Sequence, residues 1–132
     1  MKIAAITEDE RTISQHFGRA PYYLVLTVEN GQIIDRQRRD KLGHANFVND
    51  PHVESAPGQP HGLDPASQDR HVQMAKAIAD CDALLCGGMG QGAYESMRAR
   101  GIRPVVTDIL SIDEAARAFI DGKIVDQVNR LH

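Results

Sequence analysis

Tryptophan is absent and aromatic residues make up only 5% of the 132, so any core this chain builds is aliphatic. Cysteine is scarce: Cys81 and Cys86 are the full complement, which excludes a multi-disulfide scaffold. No charge of one sign dominates. A formal net charge of −3 and a pI near 6.0 supply no field for a polyanion, so neither nucleic acid nor membrane is expected as a partner. The one basic run, Arg36, Arg38 and Arg39, is short. Long hydrophobic runs are missing too, and Met1 to Arg11 reaches Glu8, Asp9 and Glu10 before a secretory apolar core can form. A cytoplasmic location is the expectation. What is present, 42% hydrophobic and 25% charged residues, is ordinary globular composition at a length that suits one domain over residues 1–132.

The local patterns read as an α/β chain. Lys2 to Thr7 is a short apolar run closed by charged residues, as a buried strand is. Tyr22 to Val28 and Ile33 to Arg39 flank Asn30-Gly31, the dipeptide that supplies the two positive-φ positions of a type I′ hairpin turn. Residues 40–64 hold Gly, Pro, Asn, Asp and the histidines His44, His52 and His61 without periodicity, and predict a long mobile loop. Asp64-Pro65 starts a helix carrying Val72, Ala75, Ile78 and Ala79 inward. Ala83 to Cys86 is a fourth strand entering Gly87-Gly88-Met89-Gly90, and a helix with Ala93, Tyr94 and Met97 on one face runs up to Gly101. Pro104 to Thr107 makes a fifth strand. Ser111 with Glu114 three residues on is a capping box opening a last helix that stops at Gly122.

This order places chemistry at one edge. A hairpin alternates chain direction and each later helix returns the chain for a parallel strand, so strands one, three, four and five point the same way. Ligands of open α/β sheets bind beyond the C-terminal strand ends, where His16, His44, His52, His61, His71 and Cys86 all fall. Cys81 precedes strand four; at about 3.3 Å per residue it lies roughly 15 Å from Cys86, too far to share a metal or a disulfide.

Two stretches carry a resemblance. Ser14-Gln15-His16-Phe17-Gly18-Arg19-Ala20-Pro21 and Ala79 to Tyr94, with Cys86-Gly87-Gly88-Met89-Gly90-Gln91-Gly92 at its centre, resemble the dinitrogenase iron-molybdenum cofactor biosynthesis family, as do Gly101 to Asp108 and Gly122 to Val125. The resemblance covers nearly the whole chain. It implies an RNase H-like α/β fold with a single mixed five-stranded sheet, an N-terminal antiparallel meander and flanking helices. It also implies a small stand-alone carrier or chaperone of an iron-sulfur or iron-molybdenum-type cluster, serving cofactor donor and acceptor proteins and catalysing no reaction of its own.

The residue chemistry leaves several roles open. His16 is a candidate metal ligand, or else a backbone-bonded residue of a tight turn with Phe17 beneath it. Cys86 is a soft ligand or a small buried hydrophobe. His71, beside a helix start, and His44 are further metal candidates; His52 and His61 read as solvated loop. Gly87, Gly88, Met89 and Gly90 open a helix whose amides suit an anionic cofactor, or are small because strand and helix pack closely, with Met89 in the packing. The alternatives at the level of function are an anion- or nucleotide-binding regulatory module using this glycine run, and a metal-dependent nuclease built on Glu8, Asp9 and Asp108.

Overall fold

A strand as apolar as Lys2–Thr7 is stable only if both faces are covered, and it lies in the middle of the sheet. The computed structural model describes residues 1–41 and 72–131. Its strands are β1 Lys2–Thr7, β2 Tyr22–Glu29, β3 Gln32–Asp40, β4 Ala83–Cys86 and β5 Arg103–Val106, in the order β3-β2-β1-β4-β5. β1 pairs antiparallel with β2 and parallel with β4; β2 pairs antiparallel with β3, and β4 parallel with β5. Only β2 runs against the rest, so the expected shared C-terminal edge is present. Asn30 (φ 53°) and Gly31 (φ 75°) close the hairpin with the positive φ pair that the dipeptide predicts.

Helices α1, Gln91–Ala99, and α2, Ile112–Ile120, follow β4 and β5; residues 72–76 are also helical, while the Asp64-Pro65 start expected for that helix lies outside the described residues. The Ser111 hydroxyl caps α2 by accepting the Glu114 amide (3.2 Å). Successive strand side chains alternate faces, so Arg36 and Arg39, three apart, point to opposite sides of β3. Arg36 pairs with Asp113 of α2 at 2.6 Å, whereas Arg39 clamps Asp80 and donates to the Ala77 carbonyl (3.0 Å). Helical segments therefore cover both faces. Clamped by Arg39 first and by Lys2 as well, the Asp80 carboxyl is held well below the usual range.

Both sheet edges are managed. β3 is largely exposed and carries Asp35, Arg36, Arg38 and Arg39, charges that discourage pairing with another chain. It continues through Asp40, one residue beyond the strand the sequence predicts, because Asp40 keeps its register with Tyr22. β5 is covered by the closing segment: the Val106 amide donates to Asp126 (2.8 Å), the Gln127 amide donates to the Val106 carbonyl (2.8 Å), and the Tyr94 hydroxyl donates to the other Asp126 oxygen. No helix among the described residues is long and apolar enough to cross a membrane.

Candidate functional site

With β1 buried on both faces, polar chemistry at the C-terminal edge has to come from the turns leaving the strands. The turn after β1 builds itself from its own side chains. Buried Thr7 donates its hydroxyl to the Thr12 carbonyl (2.8 Å) and accepts the Glu10 amide (2.9 Å). Asp9 accepts the amides of Thr12 (2.8 Å) and Arg11 (2.9 Å) together with the Thr12 hydroxyl. Those donors, the Thr12 amide foremost, hold its carboxyl down at about 2. Glu10, at φ 66°, pairs with Arg38 at 3.6 Å. Asp9 is thus occupied as a turn-builder. Glu8, Asp9 and Asp108 are not gathered around a cation site; among the described residues no three or more His, Cys, Asp or Glu side chains are.

The chain then lays Ser14 to Ala20 across the glycine run. The Ser14 amide donates to Ile6 O (2.9 Å), the Gly87 amide to Ser14 O (2.9 Å) and the Phe17 amide to Gly88 O (3.1 Å). The His16 carbonyl accepts the amides of Arg19 (3.2 Å) and Ala20 (3.1 Å), and the His16 amide donates to the Ser14 hydroxyl (3.2 Å). Phe17 is buried below and His16 stands in solvent. The structure shows the backbone-bonded turn with Phe17 beneath it, and leaves the His16 imidazole exposed.

The two readings of Gly87 to Gly90 separate. A Cβ at Gly88 would stand 2.4 Å from the Gln15 backbone carbonyl oxygen, and one at Gly87 2.5 Å from the Gln15 side-chain Nε2. Gly88 has no room for a side chain because the backbone of the His16 turn lies directly on it, whereas the neighbour at Gly87 is the movable end of the Gln15 side chain. Met89 is fully buried, the packing role the sequence gives it. Gly90 alone faces partly outward, as the N-cap of α1, which has neither a side-chain cap nor an acidic residue in its first turn.

Cys86 belongs to the core. Its side chain is fully buried with the thiol 3.6 Å from the Val105 carbonyl, and burial pushes that thiol up to about 12. A thiolate ligand needs the reverse, exposure and a lowered pKa. Cys81 lies at the other end of β4, where the Asp82 amide meets the Lys2 carbonyl (2.8 Å), and burial likewise raises its thiol to about 12. Cys86→Ala is expected to cost about 1 kcal/mol of stability, read by urea denaturation. An unchanged stability would show that the thiol does not pack in the core as described. His44, His52, His61 and His71, and nearly all of the loop predicted over residues 40–64, lie outside the described residues.

One residue of this edge escapes sequence reasoning. Lys41, taken there as loop, is 1% exposed, with its ammonium donating to the carbonyls of Phe17 and of Ala20 (3.1 Å) and lying 4.3 Å from the centre of the Phe17 ring. Burial lowers its pKa to about 8. The signal was strand parity: Tyr23 pairs with Arg39, and Lys41 continues that helix-covered face.

Comparison with known proteins follows this geometry. The family profile described as dinitrogenase iron-molybdenum cofactor matches residues 1–122. An uncharacterized protein of Methanocaldococcus jannaschii is 26% identical over 124 residues, covering 94% of this chain and 89% of its own length. The FeMo cofactor biosynthesis protein NifB of Frankia alni is 28% identical over 123 residues, 93% of this chain but only 21% of that much longer protein. Among solved structures, the apo form of the orange protein from Desulfovibrio gigas superposes with a TM-score of 0.64 at 20% identity, covering 93% of this chain and 89% of that one. At that identity the likeness speaks for the fold.

Proposed function

The chain belongs to the dinitrogenase iron-molybdenum cofactor family, and on that premise we propose that it carries a preassembled iron-sulfur or iron-molybdenum-type cluster between donor and acceptor proteins without turning over a substrate. The observation that carries this reading is the exposed His16 imidazole on a turn fastened to β1 through Ser14 and to the start of the glycine run through Gly87 and Gly88.

The donor set fits cargo better than a resident ion. A bare cation needs several protein ligands converging on it, and the described residues offer no such cluster. A cluster that brings its own sulfide ligands needs one or two protein bonds and an orienting surface. Few bonds also permit release, which a carrier requires. His16 serves because its turn is already ordered; a ligand on an unstructured segment forfeits about 1 to 2 kcal/mol of backbone freedom per residue fixed.

Anaerobic reconstitution with iron and sulfide, followed by an ultraviolet-visible spectrum and metal analysis, tests the reading. The wild-type protein is expected to show a broad charge-transfer band. His16→Ala should lower cluster uptake roughly tenfold or more while the apo melting temperature stays within a degree or two, since the imidazole is exposed. Normal uptake by His16→Ala, or a colourless wild-type protein that instead binds nucleotide, would overturn it, the latter in favour of an anion-binding regulatory module.

A further inference from the structure

One hydroxyl bonds to both sides of His16. Ser14 Oγ accepts the His16 amide (3.2 Å) and donates to the His16 carbonyl (3.4 Å), and a hydroxyl, with one donor and two acceptor sites, is suited to do both. Peptide planes are rigid, so the direction of a Cα–Cβ bond is set once the planes before and after it are set. The plane before His16 is held at both ends. Its N–H is held by Ser14, and its oxygen, the Gln15 carbonyl, rests on Gly88, where a Cβ would come within 2.4 Å of it. The plane after His16 carries the carbonyl that accepts the Arg19 and Ala20 amides as well as the Ser14 hydroxyl. Ser14 keeps its own place without its side chain. Its amide reaches Ile6 O (2.9 Å) and its carbonyl accepts the Gly87 amide (2.9 Å), so its backbone is fixed to β1 and to the glycine run.

We propose that Ser14 is the positioning residue of the His16 imidazole: its hydroxyl aims the side chain that the cluster-carrier reading assigns to the cargo, and binds no cargo itself. The inference rests on that reading and extends it to how the ligand is held ready. Because the imidazole is exposed, the bonds on its backbone limit the arc it sweeps. Without the hydroxyl the His16 amide turns to water, and the plane before His16 keeps only its contact at Gly88. The crossing beneath stays, since it is built from backbone bonds: Ser14 to Ile6, Gly87 to Ser14 and Phe17 to Gly88. The loss therefore falls on the imidazole and not on the turn that carries it.

Reconstitution with iron and sulfide of the wild type, Ser14→Ala, Ser14→Thr, His16→Ala and the combined Ser14→Ala, His16→Ala variant tests this, together with amide exchange on the apo proteins. Ser14→Ala is expected to lower cluster uptake roughly threefold to tenfold, and Ser14→Thr, which keeps the hydroxyl, to restore it. In apo Ser14→Ala, exchange at the His16 amide should accelerate while Phe17 and Gly87 keep wild-type protection. Adding Ser14→Ala to His16→Ala should lower uptake no further, since a residue that acts only through the imidazole then has nothing to act on. A further loss in the combined variant would make Ser14 a ligand or a general support of the fold, and would overturn the proposal. Wild-type uptake by Ser14→Ala would overturn it too, as would a loss accompanied by faster exchange at Phe17 and Gly87 or left uncorrected by threonine. The premise fails separately. Normal uptake by His16→Ala, or none by the wild type, removes the site itself, whereas uptake lost in His16→Ala and kept in Ser14→Ala removes only the role of Ser14.

Discussion

Gly88→Ala is expected to destabilise the protein by about 2–4 kcal/mol, well beyond the effect of an alanine at Gly18. The reason is contact and not backbone conformation, because Gly88 has no positive φ that would need glycine. Its Cβ would stand 2.4 Å from the Gln15 carbonyl oxygen, and a backbone oxygen cannot swing aside as the tip of a side chain does. To make room the His16 turn has to lift, and lifting it weakens the bonds from the Gly87 amide to Ser14 and from the Phe17 amide to Gly88. It also draws Phe17 off the core and its carbonyl off the Lys41 ammonium. Gly18→Ala is the control, since nothing lies within 4 Å of a Cβ there. At roughly 3–5 °C per kcal/mol for a domain of this size, the two variants should melt well over 5 °C apart. Amide exchange at Phe17 should accelerate in Gly88→Ala alone. Equal melting temperatures for the two variants would show that the turn does not bear on the glycine run as described.

What the sequence made legible follows a physical division. Features set by neighbours along the chain were readable: the Asn30-Gly31 turn, the Ser111 to Glu114 cap, and the stop at Gly122, whose φ is 70°. Strand directions followed, since hairpins and helical crossovers fix them without any side-chain detail. Features set by tertiary approach were not. The glycine run is the clearest case, because an anion nest and a close chain crossing demand the same residue, and only the Gln15 carbonyl against Gly88 distinguishes them. Cys86 is similar: an apolar strand end predicts a thiol equally as ligand or as filler, and complete burial decides for the core. Lys41 shows the third kind of miss. A lysine beside a polar loop reads as solvated by default; strand parity with Arg39 points Lys41 to the covered face, but the two carbonyls some twenty residues earlier that accept its ammonium are set by tertiary approach.

Tyr23→Ala should cost about 3–5 kcal/mol and Tyr23→Phe about 1–2 kcal/mol, and the gap between them divides ring packing from a single hydrogen bond. Tyr23 is fully buried and among the largest such side chains in the protein. Its hydroxyl donates to the Met74 carbonyl at 3.0 Å. That carbonyl needs it, because at the end of the 72–76 helix the Ile78 amide reaches the Ala75 carbonyl and passes Met74 by. Arg39, the cross-strand partner of Tyr23, donates to the Ala77 carbonyl, so two paired sheet residues together cap one helix end. The phenylalanine variant keeps the ring and strands a buried acceptor; the alanine variant loses both. The pH dependence gives a second readout. Burial raises the Tyr23 pKa far above its ordinary value, so the folded protein keeps the proton that the unfolded chain releases above about pH 10. With fewer protons bound in the unfolded state, stability falls as pH climbs past that point, and Tyr23→Phe removes this part of the fall. Urea denaturation of the three proteins at neutral pH and above pH 10 measures both effects. Equal losses in the two variants would mean that the hydroxyl, not the ring, holds the helix to the sheet; no loss in either would mean that Tyr23 is not the pin between them.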